Sequence, residues 1–263
     1  MSDRHGLDEA EIAALTKAGE VGFLHSFEAG SAVDGPGVRV VLWTAGCHFR
    51  CLYCHNPDTW KLRGGRLVTL ADTTTRIARY RGFWSGGGDA GGVTVSGGEP
   101  LVQGPFTRRI FAACRRLGIH TTLDTNGFLG HELSDADLAD IDLVLLDLKA
   151  HSPSRHLALT GQSNEPVLAF GHRLAERRRP VWVRFVLVPG VTDDASDVDD
   201  LARLVATWPN VARVEVLPFH QLGRFKWERL GMPYRLSDVE PPTPELLRQV
   251  RERFRAAGNP RVA

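Results

Sequence analysis

The stretch VRVVLWTAGCHFRCLYCHNP, residues 38–57, joins an apolar run to a dense group of cysteines. Residues 38–46 are rich in β-branched side chains and almost continuously apolar, which is typical of a strand covered on both faces of a parallel sheet. Cys47, Cys51 and Cys54 follow with the spacing C-x3-C-x2-C. We therefore predict a buried strand whose carboxyl end carries three thiols on a loop.

Five further apolar runs of this kind follow along the chain. They are GVTVSG (92–97), HTTLDT (120–125), DLVLLDLK (142–149), VWVRFVLVPG (181–190) and RVEVLPFH (213–220). The intervals leave room for crossover helices, so the pattern predicts an α/β fold with a parallel sheet. Six βα units are too few for a complete eight-stranded barrel. The sequence pattern is consistent with either an open doubly wound sheet or a partial barrel.

Helical patterns occupy three of the remaining stretches: VTLADTTTRIARYRG (68–82), FTRRIFAACRRLG (106–118) and TPELLRQVRERFRAAG (243–258). Each ends in glycine, and the last begins with a Thr-Pro pair that suits a helix start. The glycine-rich patch SGGGDAGG (85–92) predicts a loop.

The charge balance gives no hint of a charged partner. The 263 residues carry 32 basic and 31 acidic side chains, for a net charge of +1. The N-terminal segment lacks a signal-peptide core, and no run approaches the roughly 18 apolar residues of a membrane span. We expect an N-terminal extension at 1–20 and a single domain at 21–263, located in the cytoplasm, without nucleic-acid or membrane partners.

Three thiols on one loop predict metal or redox chemistry, because clustered cysteines without secretory features do not suggest a disulfide framework. Three thiolates can hold three irons of a 4Fe-4S cube and leave the fourth iron open to another ligand. A structural zinc site completed by His48 or His55 is the alternative. Cys114 recurs at helical spacing with Phe106 and Ile110, and we predict that it is a buried helix residue.

Polar motifs end four of the other predicted strands, and parallel strands would bring them to one rim. SGGEP offers close backbone approach and Glu99 as an acceptor, although a simple turn explains it equally well. DTNG (124–127) has ordinary turn chemistry. Asp147 and Lys149 lie on one side of an extended segment, where a surface ion pair is the alternative. An isolated histidine such as His220 is more often structural.

Two further features need partners. Arg184 interrupts the apolar run VWVRFVLV and must reach an acceptor or solvent. HQLGRFKWERLGMPY (220–234) mixes basic and aromatic residues in a predicted loop. With a neutral chain and one short basic patch, contact with a protein substrate is favoured over contact with nucleic acid.

The cysteine spacing, with Tyr53 before Cys54, resembles the cluster motif of radical S-adenosylmethionine (radical SAM) enzymes. More specifically, the sequence resembles the family of pyruvate formate-lyase activating enzymes. The similar stretches, in family order from about His25 onward, are HSFEAGSAVDGPGVRVVLWTAGC, CLYCHNPDTW, GGVTVSGGEPL, GIHTTLDTNGF, DLVLLDLK, VWVRFVLVPGVTDD and VEVLPFHQLGRFKW. The resemblance implies a partial (β/α)6 TIM-like barrel of parallel strands with its site at their C-terminal ends.

The resemblance also implies the cofactors and their ligands. Cys47, Cys51 and Cys54 would hold one 4Fe-4S cluster, whose open iron binds S-adenosylmethionine (SAM). SAM would be contacted by Tyr53, Cys54, His55, Gly98, Glu99, Asp147, Leu148, Lys149 and His220. A monovalent cation would lie at Asp124, Thr125 and Asp147.

The implied activity is activation of pyruvate formate-lyase. Reductive cleavage of SAM would give methionine and a 5′-deoxyadenosyl radical, which abstracts hydrogen from a glycine Cα of that partner. A flavodoxin or ferredoxin would donate the electron, and we expect the chain to act as a monomer. The alternatives are activation of another glycyl-radical enzyme and, from a different class, a zinc-stabilised binding module.

Overall fold

The computed structural model describes residues 6–84 and 91–263, so most of the predicted loop at 85–92 lies outside the described residues. The chain divides into two compact units, each built from non-contiguous stretches. The first comprises Met1–Cys47, Thr59–Thr125 and Glu132–Leu143, and the second comprises His48–Asp58, Asn126–His131 and Val144–Ala263. The boundary predicted between residues 20 and 21 stays a prediction.

The described part of the first unit has five strands in the order β3-β1-β2-β4-β5. The strands β2, β4 and β5 are parallel, and β1 pairs antiparallel with both β2 and β3. The strands are β1 Val21–Ser31, β2 Arg39–Thr44, β3 Arg66–Thr69, β4 Gly92–Gly97 and β5 Thr121–Thr125. The helices are α1 Glu9–Ala18, α2 Leu70–Ala78, α3 Gly104–Arg116 and α4 Asp135–Ala139.

The second unit contains three parallel strands in the order β6-β7-β8. They are β6 Leu143–Asp147, whose first residue is counted with the first unit, β7 Val181–Leu187 and β8 Val211–Pro218. The helices are α5 Pro153–Thr160, α6 Glu165–Glu176, α7 Ala195–Ala206, α8 Arg224–Arg229 and α9 Pro244–Ala256. In the described chain, no helix is long and apolar enough to cross a membrane.

Most residues of the parallel strands are buried, as their near-continuous apolar sequences predict, although β8 is exposed at Ala212 and Pro218. Val41 and Leu42 of β2 and Val95 of β4 have no exposed surface. Cys114 is buried on α3, which confirms its prediction as a buried helix residue. All six predicted strands are present, and the α/β class is confirmed.

Two strands, β1 and β3, were not predicted, and of the described α-helices only α2, α3 and α9 had been predicted individually. In β1 polar residues interrupt the apolar run after Leu24, and β3 has only four residues, so neither resembles a buried parallel strand. Residues 220–234 are not simply a loop, because a 3-10 helix at Gln221–Gly223 leads into α8. That prediction was wrong because a six-residue helix is too short to show a helical period.

Arg184 finds its acceptor on the neighbouring strand. It lies opposite Glu215 in the register of β7 and β8, and its Nε donates to Glu215 Oε2 at 3.1 Å. Both side chains are nearly buried, with 10% and 11% exposed. A buried charge needs a paired partner, and this ion pair supplies it.

The Arg39 side chain forms hydrogen bonds that link the parallel strands of the first unit. The residue is fully buried, with Nε donating to Thr94 Oγ1 at 2.6 Å and Nη2 donating to Val93 O and Thr122 Oγ1 at 2.7 and 2.8 Å. Burial lowers the pKa of the guanidinium to about 10, against the attraction of Asp34, so it stays charged at neutral pH. One cation therefore joins β2 to β4 and β5.

We predict that Arg39→Met lowers the free energy of unfolding by about 3 kcal/mol, because buried acceptors lose a charged donor. Urea denaturation followed by circular dichroism measures the loss. The control Arg203→Met breaks an exposed ion pair with Asp200 and should cost less than about 1 kcal/mol. Equal losses in the two variants would contradict this account of Arg39.

Candidate functional site

In the first unit, the SGGEP motif lies against the backbone that carries Cys47. The Gly98 N–H donates to Thr44 O at 2.9 Å, and the Glu99 N–H donates to Gly46 O at 2.8 Å. A Cβ at position 98 would lie 2.4 Å from Gly46 O and 3.1 Å from the Cβ of Cys47. Only glycine allows this approach, and it brings two predicted site groups together where β2 and β4 end.

Glu99 and Thr125, which were predicted for different ligands, share a hydrogen bond. Glu99 has no exposed surface, and its Oε1 accepts from Leu101 N at 3.0 Å and from Thr125 Oγ1 at 2.8 Å. Nearby, Asp124 Oδ2 accepts from Ser96 Oγ at 2.7 Å. A buried carboxylate needs such donors because desolvation disfavours its charge. Side chains at the ends of β4 and β5 are therefore bonded to each other.

In the second unit, Lys149 and Asp147 form a buried ion pair rather than a surface one. Lys149 Nζ lies 2.8 Å from Asp147 Oδ2, and the Lys149 side chain is 9% exposed. Leu148 is buried as well. Burial alone would lower the pKa of Lys149, but the Asp147 carboxylate, helped by Tyr53 and Cys51, raises it well above its ordinary value. A permanent positive charge therefore lies close to the Cys51 thiol.

We call residues 48–58, the second-unit stretch with Cys51 and Cys54, the cysteine loop. The Arg50 N–H donates to Thr160 O at 2.7 Å, and the Leu52 N–H donates to Leu159 O at 3.1 Å, so the loop is bonded to the end of α5. Burial raises the pKa of the Cys51 thiol to about 12, although Lys149 opposes the shift. The Cys51 thiol is therefore protonated at neutral pH.

His55 and His220 lie together. Their ring centroids are 4.1 Å apart, and the Nε2 of His55 donates to the carbonyl of His220 at 3.2 Å. Burial and the neighbouring His220 lower the pKa of His55, so this imidazole is neutral at pH 7. Two residues predicted for the same ligand from positions 165 apart are thus in contact.

Three contacts to the cysteine loop escaped the sequence analysis. Trp227 Nε1–H donates to the Cys54 carbonyl at 2.8 Å, and Lys226 Nζ donates to Asn56 Oδ1 at 2.8 Å. Lys226 also pairs with Asp58 at 3.0 Å. These partners are about 170 positions apart, and no spacing in a single sequence indicates such pairing. The only signal was the mixture of basic and aromatic residues in 220–234.

The donor chemistry fits an iron–sulfur cluster and SAM. Three thiols supply the soft ligands that iron–sulfur clusters use, and the Lys149 ammonium suits a carboxylate. In the described chain, no three His, Cys, Asp or Glu side chains are arranged to hold a single metal ion. The ligand roles therefore stay predictions: Cys47, Cys51 and Cys54 for the cluster, and Asp124, Thr125 and Asp147 for a cation.

Known proteins resemble this chain over most of its length. The model of the radical SAM superfamily matches residues 41–205. A pyruvate formate-lyase-activating enzyme of Staphylococcus epidermidis is 43% identical over 235 residues, which cover 87% of this chain and 93% of that protein. One from Streptococcus mutans is 44% identical over 239 residues, which cover 88% of this chain and 90% of that protein.

Solved structures agree on the fold. The crystal structure of Streptococcus suis SuiB bound to precursor peptide SuiA matches with a TM-score of 0.64, covering 96% of this chain and 51% of that one. At 15% identity this likeness concerns the fold alone. It agrees with the α/β arrangement of parallel strands and helices.

The environments of the thiols predict different reactivities. In the native, cluster-free chain at pH 8, we expect Cys114 to be alkylated at least roughly a hundredfold more slowly than in urea. Burial raises the pKa of this thiol to about 12, against the pull of Arg39, and leaves it 1% exposed. The half-buried Cys47 serves as the comparison within the same molecule. Peptide mass spectrometry measures the rates, and equal labelling of both thiols would refute the assignment.

Proposed function

Because this chain belongs to the radical SAM superfamily and, within it, to the family of pyruvate formate-lyase-activating enzymes, we propose that it activates pyruvate formate-lyase by generating a glycyl radical on it. The observation that carries the proposal is the 43% identity to such an enzyme over 93% of its length. The family uses a 4Fe-4S cluster and SAM, so the alternative of a zinc-stabilised binding module is set aside.

The cysteines would hold the cluster, and the protein's task is to bind, orient and exclude water. When bound, the cluster and SAM supply one-electron cleavage of SAM and the organic radical that removes a glycine hydrogen. In our proposal, Cys47, Cys51 and Cys54 are the three thiolate ligands. Hydrogen bonds from Arg50 and Leu52 to the end of α5 support the loop that presents two of them.

The residues around the thiols suit the polar end of SAM. Lys149, held protonated by Asp147, complements a carboxylate. Glu99, fixed by Leu101 and Thr125, is a buried acceptor beside the glycine that approaches Cys47, and it suits an ammonium group. The backbone of Gly98 would complete this contact.

The remaining contacts are proposed from the family. The adenosyl side would be bound by Tyr53, Cys54, His55, Leu148 and His220. The neutral imidazole of His55, in contact with His220, suits an aromatic base because it adds no charge to desolvate.

Four finer points belong to the proposal as well. A monovalent cation would be held by Asp124, Thr125 and Asp147. A flavodoxin or ferredoxin would supply the electron, and the chain would act as a monomer. The cytoplasm is the proposed location, because thiol ligands persist in a reducing compartment.

The activity has a direct test. Anaerobically reconstituted protein, SAM, a low-potential reductant and pyruvate formate-lyase should give a glycyl-radical doublet in the electron paramagnetic resonance spectrum. Omitting SAM should abolish the signal, because SAM is the source of the abstracting radical. No doublet from a chain with an intact cluster would overturn the proposed activity, and a doublet only with a different glycyl-radical enzyme would reassign the partner.

The division of the thiols is tested separately. Cys51→Ala should retain less than about one-tenth of the iron and sulfide of the unaltered chain, because two thiolates remain for three irons. Cys114→Ala should retain both, since that buried thiol on α3 is assigned no ligand role. Iron and sulfide analysis with visible absorption spectra measures both variants. The assignment fails where the two substitutions cause equal loss.

A further inference from the structure

The segment Gly223–Trp227 lies along the cysteine loop in the second unit and contacts it at successive points. A Cβ on Gly223 would lie 2.7 Å from the Cα of His55 and 3.1 Å from its carbonyl oxygen, so the backbones approach as closely as glycine permits. At the other end of the segment, Trp227 Nε1–H donates to the Cys54 carbonyl at 2.8 Å. These two contacts therefore fall on adjacent residues of the cysteine loop, Cys54 and His55.

Lys226 contacts the far end of the same loop. Its Nζ lies 2.8 Å from Asn56 Oδ1 and 3.0 Å from Asp58 Oδ2, and the Lys226 and Asp58 side chains are 20% and 30% exposed. A partly buried ion pair whose ammonium also donates to an amide oxygen restrains a loop more strongly than a fully solvated pair does. Lys226 thus restrains the part of the loop that follows Cys54.

Trp227 is itself held in place. It is 6% exposed, and its ring lies 5.3 Å from the ring of Tyr234. Tyr234 packs in turn against the core cluster that contains Tyr53 and Phe219. The donor that reaches Cys54 therefore has a fixed orientation, so the hydrogen bond selects one position of the Cys54 carbonyl.

We propose that Trp227 and Lys226 are positioning residues for the Cys54 thiolate. They hold the loop from Cys54 to Asp58 in one conformation, so that the thiol of Cys54 is oriented before the cluster is assembled. The inference rests on the proposed function in taking Cys54 as a cluster ligand. Neither residue contacts the reacting atoms in this account, and both act through the backbone and side chains of the loop.

The chain offers a matched control for the tryptophan. Trp208, in the same unit, is 3% exposed, and its indole N–H donates to His172 Nδ1 at 3.2 Å. Trp227→Phe and Trp208→Phe each remove one indole donor from a buried ring. A general effect of a lost tryptophan would appear in both variants, whereas a positioning effect would appear only in the first.

The ion pair has a control as well. Lys226→Met removes the charge and keeps most of the apolar stem, and Lys226→Arg restores the charge. Arg253→Met breaks a pair with Asp199 of similar length, 2.8 Å, at a site on α9 and α7. The two substitutions of Lys226 separate loss of charge from loss of packing.

The first measurement needs no cluster. Hydrogen exchange of the amides in peptides spanning residues 51–58 is followed by mass spectrometry in the full, cluster-free chain. Trp227→Phe and Lys226→Met should each raise the exchange rate there about fivefold. A change of this size is expected when a loop loses one net hydrogen bond or ion pair. Trp208→Phe, Arg253→Met and Lys226→Arg should leave exchange in these peptides unchanged.

The second measurement uses the reconstituted protein. Iron release to a chelator under anaerobic conditions should be about fivefold faster in Trp227→Phe and Lys226→Met, because the Cys54 ligand leaves more readily. The two controls should match the unaltered chain. Unchanged exchange at residues 51–58 in Trp227→Phe and Lys226→Met, or equal increases in the controls, would overturn the inference.

These outcomes are independent of the proposed activity. A chain that retains its cluster but gives no glycyl radical would refute the activity, while the exchange and iron-release data would still decide the role of Trp227 and Lys226. A chain that forms the radical normally, with no response of the cysteine loop to either substitution, would refute the positioning role alone.

Discussion

The full burial of the Glu99 carboxylate constrains the polar end of the first unit. A carboxylate with no exposed surface must be supplied with donors, and Leu101 N and Thr125 Oγ1 supply them. This requirement joins the turn after β4 to the end of β5. The same turn places Gly98 against Gly46, the residue before Cys47. One buried carboxyl group thus links the turn after β4 to the end of β5, and the glycine before it approaches the residues that follow β2.

A buried cation has the complementary effect in the second unit. Lys149 has little exposed surface and remains charged because Asp147 is 2.8 Å away. Cys51 and Tyr53 experience this charge, and it opposes the rise in the pKa of both groups. Thiolate ligands carry negative charge into a site of low polarity, and a fixed ammonium nearby reduces the cost of that charge. In the proposed role of Cys51 as a cluster ligand, this ion pair would therefore favour the thiolate.

Features set by local sequence could be predicted, and those set by distant contacts could not. The parallel strands were evident because burial on both faces requires continuous apolar runs, and Cys114 was placed by helical spacing. The ion pair of Asp147 and Lys149 follows from their two-residue separation, but its burial does not. Antiparallel β1 was missed because its sequence changes from apolar to polar partway. A single sequence holds no trace of a bond between Trp227 and Cys54.

The cysteine motif illustrates why this division matters for function. A spacing of C-x3-C-x2-C specifies how many sulfurs are available and how far apart they are along the chain, but not where each sulfur points. In the second unit the cysteine loop is bonded to the end of α5 through Arg50 and Leu52, the residues on either side of Cys51. Beyond Cys54 the loop depends on side chains from a segment about 170 positions later. A motif that looks self-contained in sequence is therefore also held by side-chain hydrogen bonds from the far end of the chain.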